Sequence, residues 1–122
     1  MDCLFCKIID GSISSYIIYE DDLVKVFLDI YPNSNGHMLV VPKNHYVDMH
    51  DINENVLFHI HKVIAPKIDQ LLKDKLHSTG LSISQNNGSA QDIKHYHTHL
   101  IPKYDTKQPT MEVIDIYKTL TK

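Results

Sequence analysis

No stretch of this sequence approaches the roughly 20 apolar residues that a membrane-spanning helix requires. Residues 1–6 also lack the long apolar core of a secretion signal. The expectation is a soluble, cytoplasmic protein with no membrane partner. A dense lysine run is missing too, and the formal charge is −3 with histidine neutral. This balance excludes a protein held to nucleic acid mainly by phosphate neutralisation and leaves small ligands as the better expectation. Repeats, low-complexity tracts, a glycine-rich dinucleotide fingerprint and a phosphate loop ending in Gly-Lys-Ser/Thr are absent as well. Cysteine is scarce: only Cys3 and Cys6 occur, spaced Cys-x-x-Cys. Such a pair makes a strained small-loop disulfide, a redox couple or half of a zinc site, and without a sign of secretion the last two lead.

What is present suffices for one core. The chain has 122 residues, 43% of them apolar, which fits a single domain over residues 1–122 that folds without staples. Residues 23–30 alternate as a strand, with Val24, Val26, Leu28 and Ile30 on one face and Phe27 and Asp29 on the other. The Pro- and Gly-containing stretch 31–36 reads as a turn into a second strand, 37–41, giving a hairpin. From 53 to about 76, Leu57, Ile60, Ile64, Ile68 and Leu71 recur at helical steps, with Asp51 or Asn53 as N-cap. Pro66 lies inside that helix and removes a hydrogen bond to the carbonyl of Lys62, predicting a kink or a break. His59, His61 and His77 read as solvent-facing or half-buried residues of this helix and its end. Residues 81–85 form a third strand, and the tail 110–122 reads as a short amphipathic helix through Val113, Ile116, Tyr117 and Leu120. Short loops between strands favour antiparallel pairing. The fold class is therefore α+β.

The densest chemistry lies at His95-Tyr96-His97-Thr98-His99-Leu100-Ile101-Pro102. On a strand the three imidazoles would share one face and Tyr96, Thr98 and Leu100 the other. On a helix they would scatter. With a reference pKa of about 6.5, imidazole serves near neutrality as nucleophile, proton carrier, metal ligand or phosphate partner. The bland alternative is a solvated polar face at a sheet edge.

Cys3-Leu4-Phe5-Cys6-Lys7-Ile8-Ile9, Tyr19-Glu20-Asp21-Asp22, Phe27-Leu28-Asp29-Ile30, the run from Gly36 through His37 and Pro42 to His45, Asn86-Asn87-Gly88 and the three alternating histidines follow one another in this order. In that order the chain resembles the histidine triad (HIT) family of nucleotide hydrolases and transferases, over nearly all of its length up to about Tyr104. The resemblance implies an antiparallel sheet of about five strands with one long helix and short terminal helices, and a tail beyond residue 105. It implies cleavage at the α-phosphorus of nucleoside 5′-phosphoramidates or dinucleoside polyphosphates, with a purine nucleotide of adenosine type as substrate. His97 is then the nucleophile of a covalent nucleotidyl-imidazole intermediate, an activation that agrees with the competence of neutral imidazole. His99 matches the position that contacts the α-phosphate, and Gln91 one near the phosphate and leaving group. Asn86 matches a polar residue of the nucleotide pocket and Asp29 the acceptor of the ribose hydroxyls. Ile30, Leu28, Phe5 and Ile8 are candidates for the base slot, and His37 a fourth histidine supporting the nucleophile. By turn preference alone, Asp29 also reads as a turn initiator.

Bacterial relatives with the same cysteine spacing imply a structural zinc held by Cys3, Cys6, His45 and His95, a complete tetrahedral set with no position left for water. They also imply a homodimer in which long helices and adjoining strands meet. The chain departs from the family pattern in a short segment from Ser89 to Lys94, with Ala90 where glycine usually precedes the glutamine. Asp92 stands where the phosphoramidase branch commonly has serine, and no tryptophan marks the tail. Two other readings remain: a catalytic metal bound by His95, His97 and His99 together, and a nucleotide-binding regulatory module with little turnover.

Overall fold

The computed structural model describes residues 3–122. Five strands form one antiparallel sheet: β1 (Ile17–Glu20), β2 (Val24–Leu28), β3 (Met38–Pro42), β4 (Gly80–Gln85) and β5 (Thr98–Lys103), in the order β1-β2-β3-β5-β4. Four α-helical stretches accompany it: α1 (Leu4–Ile9), α2 (Glu54–Phe58), α3 (Ala65–Leu76) and α4 (Val113–Leu120). A π-helical segment, His59–Ile64, joins α2 to α3. The fold is α+β, as the short loops between strands predict. Among the described residues no helix is long and apolar enough to cross a membrane.

The two central strands are buried along their whole length. Val24, Val26, Leu28, Met38, Val40 and Leu100 face the long helix and α4, while Phe27, Leu39 and Val41 turn the other way onto Phe5 and Ile8 of α1. A strand covered on both faces shows a continuous apolar run rather than clean alternation, as Met38-Leu39-Val40-Val41 does. Lys25 is buried among these residues, and its Nζ donates to the carbonyls of Ile8 at 3.0 Å and Ile9 at 3.3 Å. A cation there adds a donor to the carbonyls at the C-terminal end of α1 and fixes α1 against the sheet.

The long helix starts where expected, with Asn53 Oδ1 accepting from the amides of Asn55 and Val56. Pro66 does not break it. The missing proline N–H falls in the first turn of α3, after the chain has widened into the π segment, where the Ala65 amide bonds back five residues to the Ile60 carbonyl. That widening also explains which side chains are buried. Val56, Ile60, Ile64, Ile68 and Leu72 recur at strict four-residue steps, and all five are in the core. On a pure α-helix a four-residue step overshoots one turn by about 40°, so the stripe would wander off the core. The wider turns bring it back. Leu57, expected inside, is instead 37% exposed, and Leu71 is only partly buried.

β1 carried no separate sequence signal, because its residues are only half-buried and a bulge interrupts its pairing with β2. At the C-terminus the helix begins at Val113 rather than at residue 110. Asn35 holds the preceding segment extended, its Nδ2 donating to the Pro109 carbonyl and its Oδ1 accepting from the Met111 amide. Ile116 and Leu120 of α4 then complete the core.

Candidate functional site

The histidine segment is not one strand. β5 begins at Thr98, so His99 alone of the three is on it, and His95 and His97 lie on the irregular approach. Alternation still holds: Tyr96 and Leu100 are in the core. The three imidazoles share the face that α1 covers, with His95 and His97 against Phe5 and the His97 and His99 ring centroids 5.2 Å apart, yet each takes a different hydrogen-bond partner.

His95 turns to the cysteines. Its Nδ1 is 3.4 Å from Cys3 Sγ and 3.6 Å from Cys6 Sγ, and His45 Nδ1 is 3.2 Å from Cys6 Sγ. All four ligand atoms lie within 4.8 Å of one another. A tetrahedral ion with Zn–S near 2.3 Å and Zn–N near 2.0–2.1 Å sets S···N separations of about 3.5 Å, so the geometry fits. The protonation pattern fits as well. His95 Nε2 donates to the Pro42 carbonyl at 2.9 Å, which leaves Nδ1 with its lone pair toward the thiols. Burial, with His45 and His97 adding in the same sense, holds His95 below the ordinary imidazole value and keeps it in the neutral, ligating form. Burial, then the hydrogen bond and charge of Cys3, push the Cys6 thiol up to about 11. A bound dication reverses the last of these effects. Cys3, Cys6, His45 and His95 are positioned to bind a metal. The catalytic three-histidine alternative lacks this convergence, since the imidazoles of His97 and His99 are engaged elsewhere.

His97 is buried, and its Nδ1 donates to the His95 carbonyl at 2.7 Å. A carbonyl only accepts, so the proton is on Nδ1 and the Nε2 lone pair is bare. The Phe5 ring meets the His97 ring edge-on, with centroids 4.9 Å apart. His99 pairs with His37, Nδ1 to Nε2, at 3.0 Å. The direction of that bond follows from the other side of His37, whose Nδ1 accepts from the Asn33 amide at 3.0 Å. Neutral His37 therefore carries its proton on Nε2 and donates it to His99, leaving His99 with an Nε2–H of its own. Burial holds both rings below the ordinary imidazole value, with Asp29 opposing this at each and Asp92 opposing it at His99. The direct ring contact of His37 is with His99. Asp29, His37 and His99 also lie within metal-ligand reach of one another. The Asn33 bond makes them a hydrogen-bonded chain instead, because the nitrogen facing the cluster bears the proton.

His97, His99 and His37 open into a cavity of about 710 Å³. Phe5, Ile8, Leu28, Asp29 and Ile30 line it too, so these expected site residues are brought together. Asp29 does two things: Oδ1 accepts from the Tyr31 amide at 2.8 Å, a turn bond, while Oδ2 lies 3.7 Å from His37 Nε2. Ile30 is at the edge, 59% exposed. Asn86 and Gln91 are not on the lining. Gln91 is buried, and its Nε2 donates to the Val47 carbonyl at 2.6 Å and braces the neighbouring loop, while its Oε1 has no partner. Residues that the sequence reading missed are Leu4, Phe27, Leu39, Asn33 and the segment from Ile13 to Tyr16. Phe27 and Leu39 were legible as the second face of buried strands. Asn33 acts through its backbone and leaves no side-chain signal.

A HIT domain family profile matches residues 10–106. An uncharacterized HIT-like protein of Methanocaldococcus jannaschii is 41% identical over 105 residues, covering 84% of this chain and 80% of that one. An adenosine 5′-monophosphoramidase of Candida albicans is 39% identical over 109 residues, covering 84% and 71%. Among solved structures, a Zn-bound histidine triad family protein from Mycobacterium smegmatis superposes with a TM-score of 0.88 at 30% identity, covering 98% of this chain and 91% of that one.

Proposed function

The chain belongs to the HIT domain family, and from that premise we propose that it is a nucleotide hydrolase acting at the α-phosphorus of nucleoside 5′-phosphoramidates or dinucleoside polyphosphates. One observation supports the reading: the His95 carbonyl holds the proton of His97 on Nδ1, which leaves the Nε2 lone pair of this cavity-lining residue available for attack. In the first step Nε2 bonds to phosphorus, the bond to the leaving group breaks, and an amine leaving group takes a proton from solvent. In the second step water adds to phosphorus, the P–N bond to His97 breaks, and the proton returns to solvent. The product is a nucleoside 5′-monophosphate and His97 is regenerated. Splitting one displacement into two lowers each barrier.

His99 supplies its Nε2–H to a phosphoryl oxygen, a donor already aimed before charge develops. Asp29 accepts from the ribose, and Phe5, Ile8, Leu28 and Ile30 take the base, which adenosine fits as the named substrate component of the Candida relative. The metal is zinc and structural, since two sulfurs and two nitrogens fill a tetrahedral shell and leave no open position. Ligating thiols of this kind suit a reducing compartment such as the cytoplasm. The molecule is a homodimer, supported by exposed Phe58 and Val63 on the long helix and Ile83 on the edge strand β4.

Rapid quench with α-phosphorus-labelled adenosine 5′-phosphoramidate should trap label on His97, and His97→Ala should abolish turnover with the fold intact. Turnover by the unaltered protein with no adduct on any timescale overturns the covalent route.

A further inference from the structure

The charge of the cavity is one-sided. The chain contains no arginine, so no guanidinium fork exists to clamp a polyphosphate. None of its 12 lysines is on the cavity lining, whose formally charged groups among the described residues are the carboxylates of Asp29 and Asp92. Asp29 is already engaged with the Tyr31 amide and beside His37. Asp92 is exposed on the lining and joins none of the ion pairs among the described residues. The nearest lysine in sequence, Lys94, has its Nζ on the Gly88 carbonyl instead. Asp92 shares the cavity lining with His97 and His99.

A carboxylate there repels a polyphosphate leaving group, which would carry several negative charges into a space with no fixed cation to meet them. It attracts a leaving group that carries a positive charge. We infer that Asp92 is a specificity-determining residue, favouring nucleoside 5′-phosphoramidates whose leaving amine bears a further ammonium group over those whose leaving group is neutral or anionic. This rests on the hydrolase reading above. It goes beyond that reading by choosing between its two substrate classes and by naming the charge of the leaving group.

Two adenosine 5′-phosphoramidates of equal length test it, one with an aminopropyl and one with a butyl substituent on nitrogen. The unaltered protein should favour the aminopropyl compound in kcat/KM by about three- to tenfold at low salt, the size of one exposed charge pair, and by less at high salt. Asp92→Asn should bring that ratio close to one, and Asp92→Lys should invert it. Relative kcat/KM for diadenosine tetraphosphate should rise in both variants. Calorimetric binding of the corresponding aminopropyl and butyl esters of adenosine 5′-phosphate separates the two proposals. If neither amidate turns over but the cationic ester binds more tightly in the unaltered protein alone, the hydrolase reading falls and the role of Asp92 stands. If both amidates turn over with the same ratio in the unaltered protein and in Asp92→Asn, the role of Asp92 is overturned and the hydrolase reading stands. Absence of charge preference in both assays overturns it equally.

Discussion

His37 donates its Nε2–H to His99 Nδ1 across 3.0 Å, and the Asn33 amide on the far side of the His37 ring makes that the only direction neutral rings allow. The pair works as a fixed sequence of donors: Asn33 to His37, His37 to His99, and His99 outward to the cavity. Two consecutive hydrogen bonds of one sense orient the His99 proton, with the Asp29 carboxylate 3.7 Å from His37 Nε2 alongside.

Replacing His37 by alanine should therefore lower kcat more than it raises KM, because it frees His99 to place its proton on either nitrogen. The loss should stay below the roughly hundred- to thousandfold expected when His99 itself is removed and a donor to the phosphoryl group disappears. Nitrogen-15 shifts of the His99 ring check the cause. They should report a single tautomer in the unaltered protein and a mixture in His37→Ala.

The cysteine and histidine cluster predicts a different phenotype. His45→Ala or Cys6→Ser should release the metal, detectable with a chromophoric chelator, and lower Tm by on the order of 5 °C or more. Turnover measured soon after chelation should persist, because the proposed route through His97 requires no metal at phosphorus. Immediate and complete loss of activity on chelation, restored by zinc within seconds, would point to a catalytic ion instead.

Acid should loosen the link between the long helix and the start of β2. Burial raises the Asp21 carboxyl, but hydrogen bonds from His59 at 2.7 Å, the Leu23 and Val24 amides and the Tyr19 hydroxyl outweigh it and hold Asp21 at about 2, below the ordinary 3.8. A folded-state pKa below the unfolded one gives stability that is fully present above about pH 4 and is lost as pH falls toward 2. With solvent screening at this half-exposed site, that contribution is about 1–2 kcal/mol. Urea unfolding of the unaltered protein and Asp21→Asn should differ by this amount at pH 7 and converge near pH 2.

Gly36 precedes His37 with φ +94°, and a Cβ built there would lie 2.7 Å from Leu72 Cδ2. Gly36→Ala combines a left-handed backbone with a steric conflict against a fully buried side chain. It should cost about 1–3 kcal/mol in urea unfolding. Since His37 is the next residue, kcat should fall as well.

Strand patterning and capping chemistry made the central hairpin and the N-cap at Asn53 legible in the sequence, because each depends on residue types at short spacing, while motif order gave the family and, through that resemblance alone, the metal-ligand set. The shared face of the three histidines was legible from their spacing, but their separate hydrogen-bond partners were not. Those depend on where β5 starts and on what His97 and His99 meet across the fold, including the His37 ring contributed from 62 residues away. Gln91 and Asn86 were assigned to the pocket by analogy, and the tight turn of Gly88–Ala90 followed by the Gln91 bond to Val47 leaves both off the lining. The buried stripe of the long helix was misread at Leu57 and Leu71 for another reason. A template of 3.6 residues per turn takes no account of the π segment that Pro66 follows.

His95 faces two ways at once: its ring meets the thiols, and its main-chain oxygen, 2.7 Å from His97 Nδ1, fixes the neighbour's tautomer. One peptide unit is thus a lever between an inorganic anchor and an organic nucleophile. With a metal on those thiols and His97 attacking as proposed, loss of the ion would slow the chemistry gradually, by letting a ring swivel, rather than abruptly, by taking a reactant away.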